Sequence, residues 1–163
     1  MREWVIDSKR SRIEVRAKST LHDSRSSGPL RGRVTGEPEA LESSAGGVVE
    51  VPVESFDFGN KLQTMAVLSK IDASRHPVAR FVVAGAEVLS RNPWRVRVSG
   101  ALDYRGRKTA FSFEATGSIS ETALEARAEL PVNLPAIGVT PPSLLFMKVA
   151  DEVLVSVVLV ASR

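Results

Sequence analysis

The sequence predicts a mostly β protein: one antiparallel up-and-down barrel of about eight strands, with one short helix near residues 60–71. Three observations carry this reading. Apolar and polar residues alternate with a period of two through most of the chain, the pattern of strands with one face in a core and the other in water. Clusters of turn-forming residues separate these runs, at intervals of about ten residues in the second half, as consecutive hairpins require. One segment breaks the alternation and sets apolar residues three apart.

Strands are expected near 3–7, 11–18, 30–36, 46–54, 78–89, 94–104, 108–118, 122–132 and 149–161. In the second of these, Ile13, Val15 and Ala17 oppose Arg12, Glu14 and Arg16. The following stretch, His22 to Gly28, reads as a solvated loop, and 26–29 and 36–47 read as turns. Leu62, Met65 and Leu68 mark the helix; Asn60 is its expected N-cap, and 72–77 ends it. Beyond it, Trp94, Val96, Val98, Leu102 and Tyr104 alternate with Arg95, Arg97, Ser99 and Asp103. Phe111, Phe113 and Ala115 oppose Ser112, Glu114 and Thr116. Leu124, Ala126, Ala128 and Leu130 oppose Glu125, Arg127 and Glu129. Turns at 90–93, 104–108 and 118–122 join these runs into a meander, and closure into a barrel removes its edges.

The closing strand is apolar on both faces. Val153, Val155, Val157 and Leu159 form the inward set, and Leu154, Val158 and Val160 the outer one. An apolar outer face needs a cover. A second subunit in a homodimer is one; the helix or the 133–147 segment of the same chain is another.

With 163 residues the chain is long enough for one domain, 1–163, with a sizeable core. Hydrophobic content is 43% and charged content 25%, ordinary for a globular protein. The net charge of +3 and pI of about 9.6 permit an anionic partner without demanding one. Cysteine is absent, which excludes disulfides and thiolate metal sites and leaves the compartment open. No apolar run is long enough for a transmembrane helix. No signal peptide is visible, so the expected location is the cytoplasm, or the periplasm or exterior if this is a mature form.

Catalytic signals are weak. His22, Asp23 and Ser24 are adjacent in a loop, and a triad needs three groups that meet on a rigid scaffold. His76 stands before Pro77, far from the other histidine, so neither a metal site nor a cofactor is expected. Arg31 and Arg33, and Arg95 and Arg97, share strand faces. No stacking row of aromatic residues accompanies them, so they read as a solvated outer face and not as a nucleic-acid surface.

The interior is the remaining candidate. Its side chains are mostly small, which in a barrel of about eight strands leaves room for one slender ligand. A core plugged by the helix is the plainer alternative. The expected ligand-binding wall comprises Ile13, Val15, Val34, Val49 and Val51 from the first half, and Phe81, Val96, Val98, Phe111, Phe113, Leu124 and Ala126 from the second. Phe56 before the helix, Met65 and Leu68 on it, and Phe146 before the closing strand complete the set.

Several segments in order resemble one family. Residues 4–15, WVIDSKRSRIEV, resemble its opening Trp-x-Ile-Asp and Ser-x-Ile-x-Val. FDFGN, followed by Met65, Leu68 and HPVARF, resembles its Gly-Asn, helix and Pro-x-Ile-x-Phe strand. VSGALDYRGRKTAFSF resembles its Gly-x-Leu-x-x-x-Gly strand pair, and the segment from LPAIGVTPP to the closing strand resembles its last part. No one motif is specific; their order along nearly the whole chain is. The chain thus resembles YceI-like proteins, the lipocalin-like polyisoprenoid-binding group. The resemblance implies a barrel with an apolar tunnel, a bound isoprenoid, isoprenoid quinone or similar long lipid, carriage or storage in place of catalysis, and a homodimer. A ligand-free dimeric module with a filled core is the alternative, and an enzyme on the same frame a third.

Overall fold

The computed structural model describes residues 2–20, 23–141, 143–144 and 147–163. The strands are β1 (Arg2–Ile6), β2 (Arg12–Ser19), β3 (Ser24–Gly28), β4 (Arg31–Gly36), β5 (Gly46–Pro52), β6 (Val78–Arg91), β7 (Trp94–Tyr104), β8 (Arg107–Ile119), β9 (Ala123–Asn133), β10 (Ser143–Leu144) and β11 (Met147–Ser162). Two α-helices, α1 (Leu41–Ser44) and α2 (Lys61–Lys70), and short 3-10 turns at Pro38–Ala40, Val53–Ser55 and Pro135–Ile137 lie between them.

From β4 to β9 the chain is a meander, each strand antiparallel to the next, and β9 then pairs with β11. Closure departs from simple up-and-down order. β1 pairs with β4 and also with the end of β11, at Val5 opposite Ser162 and Ile6 opposite Ala161. The closed ring is therefore β1, β4, β5, β6, β7, β8, β9 and β11, eight antiparallel strands. β11 is long enough to pair first with β2 and then with β1, so the β2–β3 hairpin is inserted beside it.

Two stretches differ from expectation. The 24–28 stretch is strand β3 and not a loop: it pairs with β2 and bridges Asp57 through Ser27. Its serines carry no hydrophobic period; backbone pairing, an Arg12 hydrogen bond to Ser27 Oγ at 2.6 Å and the Phe56 ring over Gly28 hold it there. The 36–47 turn contains α1, whose Leu41 is buried.

The core follows the alternation. Trp4, Ile6, Leu30, Leu159 and Ala161 form one cluster; Ala17, Val132, Val153 and Val155 form a second. Ala79, Tyr104 and Val139 form a third at the barrel end near α2. Val160 on the outer face is only 7% exposed, and Asp7 and Ser11 hydrogen-bond to its backbone. Its outer neighbours Leu154 and Val158 are half-buried, opposite Arg16 and Pro131, and Arg12 and Arg127, respectively. Long arginine stems can cover such apolar atoms while their heads stay in water. No helix of the described residues is long and apolar enough to cross a membrane.

Candidate functional site: the barrel cavity

Strands β4 to β9, with β2 and β11, position their inward side chains around a cavity of about 400 Å³. That lies in the size range of small-molecule sites, about 300–1,000 Å³. All the strand residues selected from the alternation line it: Ile13, Val15, Val34, Val49, Val51, Phe81, Val96, Val98, Phe111, Phe113, Leu124 and Ala126. The period-two rule works because each of these strands buries one face only, and the register shifts in β6 fall after Phe81.

The wall is graded in size. Phe81 and Phe113 tilt against each other at 49°, with centroids 5.7 Å apart. Gly100 makes room for this pair: a Cβ there would stand 2.7 Å from Phe81 Cζ and 2.3 Å from the Val82 carbonyl oxygen. Toward α1 the wall turns small, with Ala86, Ala115, Ala126 and Ala128. Leu41 borders that end. The turn and helix that carry Leu41 are tied down from two sides: Arg91 donates to the Pro38 carbonyl at 2.9 Å, and the Val88 N–H donates to Glu42 Oε1 at 3.2 Å. Trp94 borders the cavity as well, with the Arg91 guanidinium 5.1 Å from its ring centroid.

The charged residues on the border, Glu125 and Arg127, are exposed outer positions of β9. Elsewhere on the outer face Arg31, Arg33, Arg95 and Arg97 each stand within 4.0 Å of a glutamate. Such exposed pairs add little stability, but they mask the positive charge that a nucleic-acid surface needs. The inward lining is apolar, so the cavity can hold apolar matter.

A model of the YceI-like domain matches residues 4–161. The chain belongs to the YceI-like family. Solved structures share the YceI-like fold at low identity. Burkholderia cenocepacia BcnA is 22% identical, with 95% of this chain and 98% of that one covered and a TM-score of 0.81. A polyisoprenoid binding domain from Saccharophagus degradans is 15% identical, with 98% of each chain covered and a TM-score of 0.76. A Campylobacter jejuni YCEI protein is 12% identical, with 82% of this chain and 81% of that one covered and a TM-score of 0.66. At these identities the likeness is one of fold. No curated protein matches the chain.

Three residues expected on the wall of this YceI-like barrel lie elsewhere. Met65 is 62% exposed and Leu62 is 82% exposed. The side of α2 that docks carries Val67, which is 5% exposed, and continues to Ile71, which packs near Tyr104. Thr64 Oγ1 accepts the Phe58 N–H on the same side. The helix is therefore rotated from the 62–65–68 stripe, and Leu68 is half-buried away from the cavity. Asn60 does cap it, accepting the Gln63 N–H at 2.8 Å. Phe56 is buried but outside the cavity. Its ring fills the space over Gly28, where a Cβ would stand only 2.5 Å away, and it tilts against Phe58. Phe146 and His22 lie outside the described residues.

Other lining residues escaped the sequence selection. Ala115, Ala128 and Leu130 belong to the same alternating runs and follow from them directly. Leu41 had only a faint signal, one large apolar residue in a polar turn.

Proposed function

We propose that the protein binds an isoprenoid or a similar long apolar lipid, without catalysing its conversion. The observation that carries this is the apolar cavity of about 400 Å³ inside a closed barrel. Each CH₂ removed from water contributes about 0.8 kcal/mol, so a slender chain binds there with few polar contacts. The Saccharophagus neighbour described as a polyisoprenoid binding domain supports the ligand class. A filled, ligand-free core is the competing reading, and the open space weighs against it. Mass spectrometry of organic extracts of the purified protein is the test. A co-purifying prenyl or acyl lipid at near-equimolar amount supports the reading. An empty protein that also takes up no prenyl chain in solution refutes it.

Carriage or storage of such a lipid, and pairing of two copies, belong to the same proposal. Burial of Val160 within the chain leaves Leu154 and Val158 as the outer apolar pair for a dimer contact. Light scattering of the wild type and of Val158→Glu tests it. A dimer weakened by the substitution supports the contact; a monomer at high concentration removes it.

A further inference from the structure

One seam of the barrel wall is only half closed. β7 and β8 pair from 94–104 against 107–117, and β9 and β11 from 123–133 against 152–162. β8 and β9 pair only at 115–119 against 124–128. Below that, residues 107–114 and 129–133 face each other without a ladder. Pro131 stands in this stretch and has no N–H to give to either neighbour. Phe111 and Phe113 on one side, and Leu130 and Val132 on the other, line the cavity. Side chains, not backbone hydrogen bonds, separate inside from outside here.

The gap is covered by the Pro135–Ile137 turn, whose Ile137, with the preceding Leu134, also lines the cavity. Its firm bonds are to its own neighbourhood: Ala136 N–H to Asn133 Oδ1 at 2.9 Å, Val139 N–H to the Leu134 carbonyl at 2.9 Å, and Leu134 N–H to the Asp151 carbonyl at 2.7 Å. Toward β8 it has one long hydrogen bond, from Thr109 Oγ1 to the Ala136 carbonyl at 3.4 Å. Gly138, at φ 81°, closes the turn. Leu134 and Ile137 pack against the Val132, Val153 and Val155 cluster and against Ala79, Tyr104 and Val139, so side-chain packing, with one long hydrogen bond to β8, holds the turn over the gap. Leu41 is buried at one end of the barrel, and Ala79, Tyr104 and Val139 at the other. Opening the seam breaks no ladder, whereas parting any fully paired strands does.

We propose that an apolar chain enters and leaves through this lateral seam, with the 135–137 turn as its flap; the proposal rests on the lipid-binding reading above. The absence of native cysteine allows a clean lock. Thr109→Cys with Ala136→Cys, joined by a short bis-methanethiosulfonate linker, ties the flap to β8. Glu42→Cys with Val88→Cys, joined likewise, ties α1 to β6 as the control. Uptake of a dansyl-labelled farnesyl chain is followed by stopped flow. The seam lock is expected to slow uptake by about tenfold or more, with full recovery on dithiothreitol, while the α1 lock leaves the rate unchanged. Equal rates with the seam locked and unlocked, or slowing by the α1 lock alone, overturn the passage. A protein that takes up no chain in any state overturns the lipid reading and the passage with it. Hydrogen exchange of the wild type gives a second measure. Faster exchange at 108–113 and 130–133 than at 96–103 and 153–160 supports the seam, and equal protection overturns it.

Discussion

Ser11 and Val160, 149 residues apart, are joined by two hydrogen bonds: Ser11 Oγ donates to the Val160 carbonyl at 3.1 Å and accepts the Val160 N–H at 2.9 Å. They meet where β11 passes from pairing with β2 to pairing with β1. The serine stands in for the strand residue missing at that junction. The Val160 carbonyl also accepts the Asp7 N–H at 2.8 Å, but its own N–H has the serine.

Ser11→Ala leaves that buried N–H without its partner. The expected loss is about 1–3 kcal/mol of stability. Chemical denaturation of the variant and the wild type measures it, and an unchanged midpoint would show that water replaces the hydroxyl.

Glu50 gives an acid-sensitive contribution. Arg80 donates two hydrogen bonds to Glu50 Oε2, at 2.7 and 3.3 Å, and Arg31 donates to Oε1 at 3.3 Å. These arginines, Arg80 foremost, hold the carboxyl below the ordinary glutamate value of 4.5. A depressed folded pKa means stability that is present above that value and lost as pH falls through the lower folded one. Glu50→Gln should therefore melt lower than the wild type at neutral pH and lose less between pH 5 and 3, on the order of the window the ordinary value sets. Parallel acid limbs in thermal scans of both proteins would rule out this role.

Tyr104 is buried at the α2 end, and its hydroxyl has no hydrogen-bond partner among the described residues. Burial pushes its pKa above the usual tyrosine value. Tyr104→Phe removes an unsatisfied polar atom and keeps the ring, so stability should stay level or rise by about 1 kcal/mol. The wild type should also lose stability as pH rises from the ordinary tyrosine value through the higher folded one, a loss the variant lacks. A lower melting temperature for the variant at neutral pH would show that the hydroxyl is bonded in solution.

Ala115 faces the small-walled part of the cavity. Ala115→Phe fills space that a ligand chain would occupy. Loss of contact for about two CH₂ groups corresponds to about tenfold weaker binding of a farnesyl probe. Fluorescence titration reads this, with circular dichroism to confirm the barrel. Undiminished affinity in a folded variant would place the ligand elsewhere.

The sequence by itself determined the barrel's strands and the inward phase of most of them. An alternation such as Val96, Val98 against Arg95, Arg97 has one low-energy arrangement, because a slip of one residue would bury the arginines. The helix and its Asn60 cap were legible for the same local reason. Tertiary structure alone decided what depends on partners distant in the chain. Strand β3 has no apolar period, and its place comes from backbone pairing with β2 and Asp57. The face of α2 was set by what it docks against, which put Val67 inside and Met65 outside. The partner of the Val160 N–H is Ser11, 149 residues away, because a buried N–H at a strand junction is satisfied by whichever polar group the fold brings to it. The half-closed seam at Pro131 belongs to the same class: a proline removes a donor locally, but only the packed barrel decides which neighbouring strand goes unpaired.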